Sequence, residues 1–275
     1  MTIAEALIAG TRHLAPHSDT PRLDAELLLA SVLKLSRGAL FARTDELVDE
    51  DPAQRFDALV QRRADHEPIA YLLGTQGFWT LDLQVNGDVL VPRPETELLV
   101  EWAMEILARD KPVRVADLGT GSGAIALAIA SERPLAQVSA TDVSAAALRI
   151  AQANAQRHHL GNLRFAQGSW YTALDAGFDL IVSNPPYIAA GDAHLPALKH
   201  EPLDALSDHG DGLSCLRDII NGAPPHLLPD GWLLVEHGYD QGAAVRALFE
   251  QAGFVGVVTR RDLGRQERAT GGRLA

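Results

Sequence analysis

Phe178-Asp179-Leu180-Ile181-Val182-Ser183-Asn184-Pro185-Pro186-Tyr187 is an apolar run that ends in a polar residue, two prolines and an aromatic ring. Apolar and small residues bounded by turn formers read as a buried strand. Pro185 and Pro186 lack N–H groups, so they forbid both a continuing ladder and an immediate helix. The chain must turn sharply there. Open α/β sheets place their sites just past the carboxyl ends of strands, which makes Asn184 to Tyr187 the candidate for chemistry.

Outward from this strand, elements alternate. Val113 to Leu118 predicts a strand, Ala124 to Ala130 its helix, and Gln137 to Asp142 a second strand followed by a helix capped at Ser144. Leu163 to Ala166 and Gly231 to Glu236 predict further strands, and two more, near Val255 to Thr259 and the C-terminus, close the sheet. This is the pattern of an α/β fold with a parallel sheet between helices. Before it, Phe78 to Val85 and Asp88 to Val91 flank Asn86-Gly87, a strong two-residue hairpin signal. Pro94 then starts a helix with Glu95 and Glu97 in its first turn.

The first seventy or so residues carry helix signals only. Thr2 with Glu5 fits a capping box, and Thr20-Pro21 and Asp51-Pro52 each pair a cap with a proline. Leu23, Leu27, Leu28, Val32 and Leu35 share one face, and Phe56, Leu59, Val60 and Arg63 another. The expected organisation is a helical bundle over residues 1–75, a β-hairpin linker over 76–92 and an α/β domain over 93–275.

With 275 residues, 47% of them hydrophobic, the chain can bury a substantial core. No apolar run approaches the ~18 residues of a membrane span, and Met1-Thr2-Ile3-Ala4-Glu5 lacks the basic start of a signal peptide, so the expected compartment is the cytoplasm. Cys215 is the only cysteine, which excludes an intrachain disulfide and a cysteine-held zinc. His158 and His159 are adjacent and point to different helix faces, so no metal is expected. The net charge of −12 argues against a nucleic-acid substrate, whose binding usually shows a basic footprint. Arg260, Arg261, Arg265 and Arg268 form a local basic cluster that faces an acidic partner or solvent.

Asp117-Leu118-Gly119-Thr120-Gly121-Ser122-Gly123 lies between the first strand and its helix, where glycines let a ligand approach main-chain atoms. Its G-x-G-x-G spacing departs from the G-x-G-x-x-G dinucleotide fingerprint and disfavours nicotinamide or flavin. Asp142, about twenty residues on, is placed to accept from a ribose diol; its structural alternative is a strand-end turn. Asp117 has two readings, attraction of a cationic ligand group and bonding of loop amides. Trp170 is either an adenine neighbour or a core residue. At the turn, the Asn184 side-chain carbonyl and the proline carbonyls are acceptors with no competing backbone donor, suited to an –NH2 group, with the Tyr187 ring against its plane. A planar amide and an exocyclic amine both fit.

These motifs, with Arg93-Pro94-Glu95-Thr96-Glu97, Ala70-Tyr71-Leu72-Leu73-Gly74 and Glu236-His237-Gly238, resemble the HemK/PrmC-type release factor glutamine methyltransferases nearly end to end. The resemblance implies a class I S-adenosylmethionine-dependent methyltransferase (Rossmann-like) domain after a small helical substrate-recognition domain. It implies methyl transfer to the side-chain nitrogen of the glutamine in the Gly-Gly-Gln tripeptide of class 1 peptide chain release factors, leaving S-adenosylhomocysteine. Asp117, Gly119, Thr120, Gly121, Ser122, Gly123, Asp142, Trp170 and Asn184 would hold the cofactor, and Asn184, Pro185, Pro186 and Tyr187 the substrate. Asn184, Pro185 and Tyr187 would serve catalysis in a monomer. Asn-Pro-Pro-Tyr alone is shared with adenine and cytosine amino-methyltransferases, which form the alternative.

Overall fold

The computed structural model describes residues 1–275, which divide by their internal contacts into Met1–Thr75 and Gln76–Ala275. The first unit holds helices α1 (Ile3–Leu14), α2 (Pro21–Leu33), α3 (Arg37–Ala42), α4 (Glu50–Ala64) and α5 (Ile69–Leu73). The capping box that starts α1 is formed: Glu5 N donates to Thr2 Oγ1 at 3.2 Å and Thr2 N donates to Glu5 Oε2 at 2.8 Å. Leu7, Leu14, Leu28, Leu29, Leu40 and Phe56 make its core. A Cβ at Gly10 would stand 2.6 Å from the Phe56 ring, so only glycine lets α1 lie this close to α4.

The buried face of α2 differs from the one its leucines suggest. Leu23 is exposed, while Asp24 and Glu26 are buried beside Ala25, Leu28 and Leu29. Both acids have partners, which is what makes burial of charge tolerable. Arg63 donates to Asp24 at 2.7 Å, and Arg22 and Arg37 grip Glu26 at 2.6 and 2.8 Å. Arg63 is thus an ion partner, not part of an apolar face. Helix α4 starts at Glu50 behind Asp49, so Pro52 falls within the first turn, where a missing N–H costs nothing.

The second unit opens on a hairpin of β1 (Thr75–Phe78) and β2 (Leu81–Gln84), joined through Trp79-Thr80 and not through Asn86-Gly87. Trp79 holds φ +56°, an uncommon value for a bulky residue. Two anchors hold it there: its N–H donates to Glu97 Oε1 at 2.7 Å and its Nε1 to Glu132 Oε1 at 2.9 Å. Asn86 instead folds an Asx turn, accepting from Asp88 N at 2.9 Å.

There follow α6 (Glu97–Ile106), β3 (Arg114–Leu118), α7 (Ala124–Glu132), β4 (Gln137–Asp142), α8 (Ala145–Arg157), β5 (Leu163–Gln167) and β6 (Phe178–Ser183). The chain ends with α9 (Leu203–Leu206), α10 (Ser214–Gly222), β7 (Leu227–Glu236), α11 (Gly242–Gln251), β8 (Phe254–Arg261) and β9 (Glu267–Leu274). The sheet order is β5-β4-β3-β6-β7-β9-β8, with β3 to β7 parallel and β9 antiparallel to both neighbours. Val115, Ala116, Leu118, Leu180, Ile181 and Val182 are wholly buried, as central strands covered on both faces require. The order reverses beside β3, so the crevice between β3 and β6 is the topological switch point. Leu118 is level with both Thr141 and Ser183, and Ser183 with Val235. Gly119 and Asn184, which follow β3 and β6, and Asp142 and Glu236, which end β4 and β7, therefore stand on one edge. No helix is long and apolar enough to cross a membrane.

Asn154 on α8 ties the hairpin to the glycine loop. Its Oδ1 accepts from Gln84 N at 2.7 Å, and its Nδ2 donates to Gln84 O and Ser122 O at 3.0 and 2.9 Å. Removing a buried group that completes three hydrogen bonds strands their partners. Asn154→Ala should lower unfolding stability in urea by about 3 kcal/mol.

Candidate active site at the carboxyl edge of the sheet

The glycine loop leaves β3 with Gly119, Gly121 and Gly123 at φ +70°, +57° and +86°, values that only glycine adopts without strain. Gly119 N and Thr120 N both donate to Thr141 O at 2.9 Å, which fastens the loop to the end of β4. Gly121 N donates to Asp142 Oδ2 at 2.9 Å and Ser144 N to Asp142 Oδ1 at 2.8 Å, so Asp142 is oriented by backbone on both oxygens and keeps lone pairs for a ligand. Nothing lies within 4 Å of where a Cβ on Gly121 would stand, whereas one on Gly123 would meet Leu127 at 2.5 Å. One glycine faces open space. The other admits the packing of α7.

Asp117 is 1% exposed and lies beneath this loop. Its Oδ2 accepts from the Thr120 hydroxyl at 2.6 Å and from Ala126 N at 3.2 Å, so the loop-bonding reading is the one the geometry fits. Its Oδ1 is buried with no hydrogen-bond partner. Burial pushes the carboxyl up to about 7 against those two hydrogen bonds, and the charge of Asp142 adds to the rise.

Over the loop opens a cavity of about 440 Å³, the size of a cofactor pocket. Gly119, Thr120, Gly121, Ser122, Asp142, Gly168 and Trp170 line it on the side of the loop; Asn184 and Pro186 line it on the side of the turn. Asp117, Gly123, Pro185 and Tyr187 stand outside the lining. Three parts of the wall carried no site signal in the sequence: Asp88 to Leu90 after the Asx turn, Thr96 in the 3₁₀ turn Pro94–Thr96, and Pro202 to Cys215. The Arg-Pro-Glu-Thr-Glu run announced a helix start, but not that its threonine lines the cavity.

At the turn, Ser183 Oγ donates to Leu118 O at 2.7 Å and locks β6 to β3. Asn184 Nδ2 donates to Thr96 Oγ1 at 3.1 Å, leaving Asn184 Oδ1 for a ligand. The Tyr187 ring packs with the apolar cluster of Phe178, Ile181 and Val235, and its hydroxyl donates to Glu236 Oε1 at 3.2 Å. Gln241 Nε2 donates to Tyr187 O at 3.0 Å and Gly212 O at 3.1 Å while its Oε1 accepts from Gly238 N at 2.8 Å, so one side chain fixes three loops. The chain beyond Tyr187 is held by two further acids. Glu201 pairs with Arg93 and accepts from Val91 N at 3.0 Å, and Asp208 accepts from the amides of Gly210, Gly212 and Ser214 at 2.9 Å.

Glu236, at the end of β7, is 1% exposed, as Asp117 is. Its Oε2 has no partner of good hydrogen-bond geometry. Burial pushes its pKa up to about 7; the nearby Thr96 and Tyr187 hydroxyls and the Arg268 guanidinium oppose the rise, and the charge of Glu95 adds to it. Next to it, burial lowers the pKa of His237, which is neutral: Nδ1 donates to Gly238 O and Nε2 accepts from the Thr270 hydroxyl, both at 2.8 Å. The C-terminal arginines are largely satisfied within the chain. Arg260 grips Glu105 at 2.6 Å and covers the Trp102 ring, Arg268 donates to Asp262 at 3.1 Å, and Arg261 to Arg265 O at 3.1 Å. His158 Nε2 meets Asp82 O at 2.9 Å. No group of three or more His, Cys, Asp or Glu side chains is placed to hold a metal.

A parallel core with an antiparallel β9, a glycine loop after β3 and an acid at the end of β4 define the class I methyltransferase fold. A methyltransferase from Pyrococcus furiosus has this fold, with TM-score 0.54 and 17% identity over 79% of this chain and 96% of its own. Residues 5–74 match the PrmC N-terminal domain, and residues 95–211 the methyltransferase small domain. A protein of Xylella fastidiosa (strain Temecula1) called release factor glutamine methyltransferase is 55% identical over 92% of this chain and 93% of its own. One of the same description from Coxiella burnetii is 50% identical over 96% and 95%. The chain belongs to the release factor glutamine methyltransferase family, the one its motifs resemble.

The burial of Glu236 has a measurable cost. Its pKa rises from 4.5 to about 7 on folding, so the folded state keeps the proton longer, and stability falls as pH climbs between those values and is flat above them. Urea unfolding at pH 5 and pH 8 should show wild type losing about 2.5 kcal/mol more over that interval than Glu236→Gln. Equal losses in the two proteins would count against a neutral, buried Glu236.

Proposed function

We propose that this chain transfers a methyl group from S-adenosylmethionine to the side-chain amide nitrogen of the glutamine in the Gly-Gly-Gln tripeptide of class 1 peptide chain release factors. The single observation that carries the site assignment is the commitment of Asn184 Nδ2 to Thr96, which leaves an acceptor at a turn whose two prolines offer no donor. An –NH2 group is the partner such a turn suits. The names of the relatives favour a glutamine amide over a nucleobase amine.

The cavity fits the cofactor on its own terms. The free space above Gly121 admits a chain against the loop, Asp142 keeps acceptors for the ribose diol, and Trp170 lines the region for the adenine. Asp117 retains an unpartnered carboxyl oxygen beneath the loop. S-adenosylmethionine, when bound, supplies a methyl carbon on a positively charged sulfur.

An amide nitrogen is a weak nucleophile because its lone pair is delocalised into the carbonyl. Asn184 Oδ1 and the Pro185 carbonyl accept its two hydrogens, hold the nitrogen in line and favour the charge it gains in the transition state. Tyr187, tethered through Glu236 and Gln241, closes the plane of the amide and keeps the turn rigid. The methylated nitrogen sheds one proton as the new bond forms, and neither Asn184 Oδ1 nor the Pro185 carbonyl is basic enough to keep it. Residues 1–75 serve to recognise the factor, and the chain acts as a cytoplasmic monomer.

Incubation of a recombinant release factor with this protein and S-adenosylmethionine should add one methyl group to the Gly-Gly-Gln peptide by mass spectrometry. Asn184→Ala should lower kcat by about 100-fold or more, the scale of one lost transition-state hydrogen bond. Methylation of a duplex oligonucleotide with none of the factor would contradict the reading.

A further inference from the structure

Thr96 is 4% exposed, lines the cavity and bonds Asn184, the side chain of the turn assigned above to the substrate amide. Its hydroxyl has one hydrogen-bond partner and one ionisable neighbour. Asn184 Nδ2 donates to Oγ1 at 3.1 Å, and the buried carboxyl of Glu236 stands near enough that the Thr96 hydroxyl favours its charged form. A hydroxyl has one hydrogen and two lone pairs. When the hydrogen goes to a carboxylate, which only accepts, Oγ1 is left as an acceptor, and the neighbouring amide must turn its NH2 toward it.

An asparagine amide with no such neighbour presents either its oxygen or its nitrogen to a ligand at little cost, because the two ends are almost equal in shape. The direction of the hydrogen bond from Asn184 is therefore chemical information. Glu236 itself receives the Tyr187 hydroxyl at 3.2 Å, so the residues that neighbour Thr96 also tether the tyrosine of the turn.

We propose that Thr96 is a specificity-determining positioning residue: by accepting from Nδ2 it fixes the Asn184 amide with Oδ1 toward the acceptor site, so that the site takes a donor –NH2 and rejects an acceptor carboxylate. The inference rests on the glutamine reading of the preceding subsection and adds to it the group that tells glutamine from glutamate. Thr96 acts through Asn184 and does not itself meet the amide. A merely structural threonine would not influence which of the two side chains binds.

The test compares binding of a release factor carrying Gly-Gly-Gln with the same factor in which that glutamine is replaced by glutamate, in the presence of S-adenosylhomocysteine and at about pH 8.5, above the range where Glu236 holds a proton. Wild type is expected to prefer the glutamine form by at least about 10-fold, the scale of one mismatched buried polar contact. Thr96→Val keeps the shape and removes the hydroxyl. It should cut that preference by about 10-fold, mostly by tightening the glutamate form, with the affinity for S-adenosylhomocysteine within about 3-fold of wild type. Thr96→Ser puts the hydroxyl back and should restore the preference.

If Thr96→Val keeps the wild-type preference, or if Thr96→Ser loses it as fully as valine does, the orienting role is wrong. If Thr96→Val no longer holds S-adenosylhomocysteine, Thr96→Ser and Thr96→Ala carry the same comparison, and a preference independent of the hydroxyl overturns the proposal. Wild type that does not separate the two factors, or that methylates neither, instead overturns the glutamine reading on which the inference stands.

Discussion

The parallel register that sets Leu118 level with Thr141 on one side and Ser183 on the other is the constraint from which the site follows. It aligns the carboxyl ends of β3, β4 and β6, and the Ser183 hydroxyl on Leu118 O pins the last pair where the ladder stops. A shift by one residue would exchange the faces of a whole strand. With the register fixed, the glycine loop, Asp142 and the Asn184 turn face one cavity without any of them having to find the others. The rest of the second unit keeps that edge level: Asn154 clamps the hairpin to the loop, and Gln241 clamps the turn to Gly212 and Gly238.

Two buried acids sit at this edge, and neither contributes to stability in any simple way. Asp117 under the loop and Glu236 behind the turn each leave one carboxyl oxygen unpartnered, and burial raises the pKa of both to about 7. A carboxyl kept from water and only partly paired is a cost to folding. Their positions connect the cost to the cavity: one underlies the glycine loop on one side of it, the other the Asn184 turn on the other side. The helical unit gives the contrast. There Asp24 and Glu26 are buried with complete arginine partners, and charge serves packing.

The strand ending at Ser183 was legible because two prolines admit few structures, and the sheet was legible because apolar runs and glycine turns recur in strict alternation. Asn86-Gly87 misled because turn chemistry is local, while the site of a hairpin depends on which residues the strands bury: Leu81 and Leu83 face the core, and this moves the turn to Trp79-Thr80. Leu23 misled because apolar periodicity does not register that a neighbouring acid has an arginine waiting on another helix. In the site, the glycines, Asp142 and Asn184 announced themselves by type and spacing. Thr96 and the acids that hold the pocket wall did not, since a threonine, Glu201 or Asp208 has an adequate surface role in any sequence and acquires another only through contacts far along the chain.

The central claim is that Asn184 and the Pro185 carbonyl together receive the two hydrogens of a glutamine amide. A crystal structure of this protein with S-adenosylhomocysteine and a release factor measures it directly. Both acceptor oxygens should lie about 3 Å from the amide nitrogen of the Gly-Gly-Gln glutamine, with Asn184 Nδ2 still on Thr96. A glutamine whose carbonyl oxygen faces Asn184, or whose amide lies away from the turn altogether, would contradict it.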